Sequence, residues 1–180
     1  MGESEWVSTS MPYVRPRGTS GADAWSTETA AEGRRGTQRI IHAGEVSPPG
    51  EVAELLGLPV GEDVVVRRRV MYLDDQPCEL TDTYYPLRIA RGTALAGTAR
   101  IRGGAVSLLA QLGHRGVRLR EDVIARLPDT DEAGTLGIEE TEPVLQLTRL
   151  TLDHGDRPVQ VDIMTMPSQR QRLRYELRIG

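Results

Sequence analysis

Two arginines at matching places on predicted strands are the side chains best suited to recognition chemistry. Arg69 stands near the end of one β-branched run, and Arg149 stands in a similar run about 80 residues later. A guanidinium group presents a rigid fork of donors that fits a carboxylate or a phosphate. Cys78 has no histidine near it in the sequence, and no acid–base pair stands out. The residues therefore predict a binding protein rather than an enzyme.

Composition excludes several classes of function. The 22 basic and 26 acidic residues give a formal charge of −4, which argues against direct contact with nucleic acid. A single cysteine excludes a disulfide framework, and the three widely separated histidines lack ligand spacing, so neither a metal nor a cofactor is predicted. No apolar run is long enough to span a bilayer, which predicts a soluble cytoplasmic protein without a membrane partner.

The elements that must position the arginines are predicted to be hairpins joined by short helices. Alternating and β-branched residues predict strands, and turn residues such as Asp74-Asp75 and His154-Gly155 separate their two arms. Ser47 followed by two prolines predicts the start of one helix, and Asp129 with Glu132 forms a capping-box pattern for another. The predicted strands are 37–46, 63–73, 77–85, 115–127, 143–153, 157–166 and 170–179, and a further helix follows Gly103-Gly104. This pattern predicts an α+β domain with an antiparallel sheet.

An internal repeat relates the two hairpins. Aligning residues 56–58 with 136–138 places Arg69 on Arg149, and one inserted residue at the turn then places Thr81 on Asp162. Two copies are too few for a solenoid, so we expect a single pseudo-symmetric domain with a ligand pocket where its halves meet. The alternative is that short helix-and-hairpin units recur here by chance.

The sequence divides into two regions of different character. Residues 1–36 show no sustained period and predict an irregular N-terminal arm, anchored by Trp6, Tyr13 and Trp25. Residues 37–180 contain all the predicted strands and form the predicted domain.

Several ordered segments resemble one family. The hairpin VVVRRRVMYLDDQPCELTDTYYP resembles the central hairpin of UTRA domains, the effector-binding domains of GntR-family transcription regulators of the HutC subfamily. The segments RIRGGAVSLLAQLGH, EDVIARLPDTDEAGTLGI and PVLQLTRLTLDHGDRPVQVDI follow in the family's order, with the character of actinobacterial members. The resemblance extends from about residue 37 to the end.

The resemblance implies a chorismate-lyase-like (UTRA) fold, a pocket for a small-molecule effector and a homodimer. It also implies a winged helix-turn-helix in the full regulator, for which residues 1–36 are too short. Either this DNA-binding domain was removed or the chain is a free-standing sensor. The initial Met favours the free-standing sensor. Two alternatives remain open: a module that forms heterodimers with a full-length GntR-type regulator, and a chorismate-lyase-like enzyme.

The same resemblance indicates candidate effector-binding residues. Arg69 matches an arginine that commonly faces the effector, whereas Met71 replaces a second arginine and Thr81 replaces a glutamate. These departures predict a less charged, more apolar effector than a sugar phosphate. Non-binding roles compete: Arg149 could pair with Asp162, and Tyr84 could lie in the core. The candidates are Arg69, Thr81, Thr83, Tyr84, Arg102, Gly104, Ala105, Ser107, Arg126, Arg149, Gln160 and Asp162.

Overall fold

The main structural unit is a six-stranded antiparallel sheet. The computed structural model describes residues 6–16 and 23–176. Its strands are β1 Trp6–Ser8, β2 Gly36–Val46, β3 Val64–Leu73, β4 Gln76–Pro86, β5 Arg118–Arg126, β6 Val144–Leu152, β7 Pro158–Pro167 and β8 Gln171–Leu173. The large sheet has the order β2-β3-β4-β7-β6-β5, while β1 and β8 pair in parallel beside it. The predicted α+β class and antiparallel hairpins are confirmed.

Short helices connect the strands. They are α1 Met11–Val14, α2 Ala24–Ala31, α3 Gly50–Leu56, α4 Leu87–Ala90, α5 Gly104–Gln111 and α6 Thr130–Leu136, with a 3₁₀ turn at Ala94–Ala96. The capping box predicted for Asp129 and Glu132 is present, and Gly137 ends α6 in the left-handed region. The predicted N-cap Ser47 is wrong, because Pro49 occupies that position before α3. No helix in the described residues is long and apolar enough to cross a membrane.

The two faces of the sheet carry different side chains because successive strand residues point in opposite directions. On β3, Val64 and Val66 pack against Val52 and Leu56 of α3 in a hydrophobic core. Arg67, which follows Val66, lies on the other face together with Arg69 and Met71. One face therefore packs against α3, while the other carries the polar cavity residues beside a second apolar cluster that includes Val65 and Tyr85.

The sequence repeat appears in the structure as a pseudo-two-fold axis. Each half has the order strand, helix, hairpin, and the halves meet where β4 pairs with β7. Asp82 pairs with Ile163, which is also its equivalent in the repeat, and Thr83 pairs with Asp162. The axis therefore passes through the pair Asp82 and Ile163, at the centre of the sheet.

Regular structure occurs in part of the region predicted as an irregular arm. Helix α2 is capped by the Asp23 side chain, and Trp25 and Trp6 are buried with ring centroids 5.3 Å apart. Tyr13 packs at the edge of the same cluster, as predicted for the three aromatic anchors. The last predicted strand is shorter than expected, since β8 ends at Leu173, residues 174–176 are not a strand, and 177–179 lie outside the described residues. Tertiary packing rather than local periodicity determines these segments.

Candidate functional site

A cavity of about 650 Å³ lies over the face of the sheet opposite α3. Its floor consists of side chains from β3, β4, β6 and β7, so it extends across the pseudo-two-fold axis. Residues of the N-terminal segment, of α2 and of the segment leading into α5 form the walls. A volume of this size suits a small organic molecule.

Eight of the twelve candidate residues line the cavity. They are Arg69, Thr81, Thr83, Gly104, Ala105, Arg149, Gln160 and Asp162. Their common feature is position on one sheet face or at the start of α5. Whether they bind an effector stays a prediction.

The other four candidates lie outside the lining. Tyr84 points to the opposite face, where it packs in the core and its hydroxyl donates to Asp82 Oδ2 at 3.1 Å. Arg126 forms an ion pair with Glu132 at 2.6 Å. The hydroxyl of Ser107 donates to the carbonyl of Gly103 at 2.8 Å, and Arg102 is not part of the cavity surface. The geometry therefore gives these four no direct contact with a bound molecule.

A chain of hydrogen bonds connects the two halves at the cavity floor. Arg69 Nη2 donates to Thr83 Oγ1 at 2.8 Å, and that hydroxyl donates to Asp162 Oδ1 at 2.7 Å. Gln160 Nε2 donates to Asp162 Oδ2 at 2.6 Å. Both oxygens of the buried Asp162 carboxylate thus accept a hydrogen bond from the protein.

Arg149 forms an ion pair with Glu121 rather than with Asp162, the partner suggested by the sequence. Arg149 Nε lies 2.6 Å from Glu121 Oε1, and the two side chains are 8% and 5% exposed. Ser10 donates a hydrogen bond to Glu121 Oε2 at 2.9 Å. Burial acts to raise the pKa of Glu121, but the Arg149 charge and these hydrogen bonds hold it below its usual value. The N-terminal segment is thereby connected to a cavity arginine through one carboxylate.

Glu79 is a cavity residue that the candidate set did not include. It lies two residues before Thr81 on β4, and the Thr81 hydroxyl donates to Glu79 Oε1. Burial raises the pKa of its carboxyl group above the ordinary value. Alternate residues of a strand lie on the same face, so Glu79 shares its face with Thr81 and Thr83. This period of two could have identified Glu79 from the sequence.

Arg67 is a second cavity residue that the sequence reasoning missed. Its guanidinium donates to the backbone carbonyls of Ala94, Leu95, Gly97 and Ala99. Burial lowers its pKa from the ordinary value. These bonds attach the segment before α5, one wall of the cavity, to strand β3.

Positive groups outnumber negative ones in the lining. The arginines are Arg15, Arg39, Arg67, Arg69, Arg100 and Arg149, and the acids are Asp23, Glu79 and Asp162. Arg100 lies 3.3 Å from Asp23 in an ion pair at the rim. This charge is more than the sequence departures led us to expect, and it favours ligands that carry an anionic group. No cluster of three metal-binding side chains occurs in the part of the chain that the structure describes.

A family model and the curated relatives of this chain indicate the family to which it is similar. Residues 31–172 match the family model described as UTRA domain. The uncharacterised HTH-type transcriptional regulator SCO4628 of Streptomyces coelicolor is 31% identical over 134 residues, which are 71% of this chain and 49% of that protein. The chain spans about half the length of the curated relatives it matches.

Solved structures agree on the fold. The effector domain of PhnF from Mycobacterium smegmatis superposes with a TM-score of 0.74 at 21% identity, covering 92% of this chain and 99% of that domain. A further relative is named "Probable chorismate pyruvate-lyase", from Alcanivorax borkumensis, and is 35% identical over 91 residues, 49% of this chain and 42% of that protein. A solved structure described as a putative GntR-family transcriptional regulator superposes with a TM-score of 0.82 at 23% identity, covering 98% of this chain and 71% of that chain.

Proposed function

The chain belongs to the UTRA domain family, and on that premise we propose that its cavity binds the small-molecule effector of a GntR-family transcription regulator. The observation that carries the proposal is the cavity of about 650 Å³ across the pseudo-two-fold axis. Charged and polar side chains from both halves of the sheet converge on its floor. Such convergence in one large pocket is typical of a ligand site.

The mechanism of binding follows from the hydrogen-bond chain. Thr83 accepts from Arg69 and donates to Asp162, so the orientation of the guanidinium group is fixed before a ligand arrives. A preorganised donor loses little side-chain entropy on binding. The arginine can therefore bind an anionic group of the effector through its remaining donors.

A metabolite panel followed by thermal denaturation tests the proposal. At least one compound should raise the melting temperature, and Arg69→Ala should abolish that shift. Arg68→Ala is the matched control, because Arg68 is exposed and forms an ion pair with Asp82 at 3.1 Å, away from the cavity. A normal ligand response from Arg69→Ala would exclude Arg69 as a binding residue.

We also propose that the chain forms homodimers and acts in the cytoplasm, where such regulators meet DNA. Strand β5 is an edge of the large sheet, and its Val123 and Ile124 are exposed, which suits pairing with another chain. Light scattering on the purified chain measures the homodimer. Mixing with a full-length relative tests the heterodimer, and a monomer in both experiments would contradict association through this domain.

A lyase activity is the second candidate, favoured by the match to the named chorismate pyruvate-lyase. Fold similarity is weak evidence for chemistry, and we propose that the chain is not an enzyme. Release of pyruvate from chorismate by the purified chain would overturn this. The Arg69→Ala variant would then show whether the activity uses the same cavity.

A further inference from the structure

We propose that the effector is an organic anion that also carries a positively charged amino group, and that Glu79 binds the amino group. This inference rests on the proposed function of the cavity. It concerns a side chain absent from the set suggested by the family resemblance. The charged side chains of the cavity differ in how far the protein satisfies their hydrogen bonds.

The two arginines of the repeat have donors left for an anionic group. Arg69 makes one hydrogen bond, through Nη2 to Thr83, and its buried Nε has no partner among the described residues. Arg149 contacts Glu121 through Nε. Both side chains line the cavity. A carboxylate or phosphate would pair with these guanidinium groups, since such pairs are strong and directional.

Glu79 and Asp162 differ in how far the protein satisfies them. Asp162 accepts hydrogen bonds at both carboxylate oxygens, from Thr83 and Gln160. Glu79 accepts one, from Thr81, at Oε1. The other oxygen of Glu79 is thus available to a ligand donor.

Charge decides between an amino group and a hydroxyl group. Burial disfavours the charged form of Glu79, and among its charged neighbours Arg69 and Arg149 act on it more strongly than Asp162, which repels it. An anionic group that binds the two arginines offsets their charge, so a ligand hydroxyl would add a hydrogen bond but would leave the buried Glu79 carboxylate without an opposite charge. A ligand ammonium group supplies both the donor and the opposite charge.

The register of the hairpin limits the size of the ligand. Arg69 pairs with Thr81, and Glu79 pairs with Met71 two residues further along β3. Two residues of a strand extend about 7 Å, so an anionic group at Arg69 and an amino group at Glu79 would be separated by a distance of that order. Compact amino acids and amino-sugar acids satisfy this condition.

Matched compounds added to the metabolite panel test the inference. The set is L-glutamate with glutarate, 4-aminobutyrate with butyrate, and D-glucosaminate with D-gluconate. The tightest ligand of the whole panel should contain both groups and should bind at least tenfold more tightly than its analogue without nitrogen. A tightest ligand without an amino group would overturn the inference while leaving the proposed function intact. Absence of any stabilising compound would instead contradict the proposed function.

Substitution of Glu79 identifies the residue responsible. Glu79→Gln should remove the tenfold preference but should leave the affinity for the analogue without nitrogen within about twofold, whereas Glu79→Asp should retain the preference. Glu54→Gln is the control for the same chemical change, since Glu54 is exposed on α3 and outside the cavity. A preference that persists in Glu79→Gln would overturn the assignment, and unchanged circular dichroism of both Glu79 variants verifies the fold.

Discussion

Glu79 illustrates how a cavity residue can reduce the stability of the folded chain. Its pKa is raised by burial, although Arg69 and Arg149 act to lower it and Asp162 raises it further. Between the ordinary pKa of a glutamate and the raised value, the folded state holds more protons than the unfolded state. Stability is therefore expected to fall as pH rises through this window. The cavity therefore contains a destabilising charge, which an effector of the proposed kind would compensate.

We predict that Glu79→Gln stabilises the unliganded chain relative to wild type at about pH 8 and much less at about pH 4. The reason is that the amide removes a desolvated charge that forms only above the ordinary pKa of glutamate. Urea denaturation at the two pH values measures the difference. Glu54→Gln, at an exposed position, should show no such pH-dependent gain. An equal gain in both variants would mean that the total charge, not burial, is responsible.

Arg149 and Glu121 form a buried ion pair. Removing either charge is expected to destabilise the fold, because the other charge would remain buried without its partner. Glu121→Gln leaves the Arg149 guanidinium without its carboxylate in a site where the side chains are 8% and 5% exposed. Removing one partner of a buried pair costs about 3–5 kcal/mol, so we expect a fall of that order in the free energy of unfolding. Denaturant titration measures it. Asp75→Asn breaks the exposed pair with Arg35 and should have a small effect; equal effects would contradict the argument from burial.

At the scale of elements, helix α2 is held by specific contacts rather than by an amphipathic face. Trp25 Nε1 donates to the carbonyls of Thr37 and Tyr72 at 3.2 and 3.1 Å, so the helix lies against the start of β2. Gly36 permits this close approach. A Cβ atom there would lie 2.5 Å from Thr29 Oγ1 and 2.7 Å from Trp25 Nε1. Because α2 forms a wall of the cavity, its docking also affects the site.

We predict that Gly36→Ala destabilises the chain by about 1–3 kcal/mol and weakens ligand binding, because α2 must move to admit the methyl group. Thermal denaturation with and without a stabilising compound measures both effects. Gly50→Ala, at the start of α3, is the control, since a Cβ atom there meets nothing within 4 Å. Unchanged stability of Gly36→Ala would show that α2 is not packed against β2 as described.

At the scale of the whole molecule, the sequence predicts those structural features that are determined by residues close together in the chain. The capping box at Asp129 and the hairpin strands depend on neighbouring residues, and both are confirmed. The parallel pairing of β1 with β8 joins segments about 165 residues apart, so no local pattern could indicate it. The errors at the site concern which face of a strand a residue occupies and which of two neighbours it contacts. Tyr84 was a candidate whereas its neighbour Tyr85 lines the cavity. Arg149 is paired in the sheet with both Glu121 and Asp162, and its ion pair is with Glu121, while the Asp162 carboxylate accepts from Thr83 and Gln160.

The pseudo-symmetric cavity also leads to a prediction about the dynamics of the whole chain. A ligand that contacts Arg69 and Arg149 bridges both halves, and at a concentration of 100 Kd it should add about 2.7 kcal/mol to the free energy of unfolding. Backbone amides of β3–β4 and of β6–β7 should then exchange more slowly, together with those of the wall segment before α5. Hydrogen exchange with mass spectrometry measures this.

The comparison must be made where exchange occurs by local opening, because stabilisation of the whole chain slows every amide that exchanges by global unfolding. Helices α3 and α6 lie outside the cavity lining and serve as internal references. If the ligand bridges the halves, slowing beyond that of these references should occur on both sides of the pair Asp82 and Ile163. Extra protection confined to the β3–β4 half would show that the ligand contacts Arg69 without Arg149, and would limit the site to one copy of the repeat.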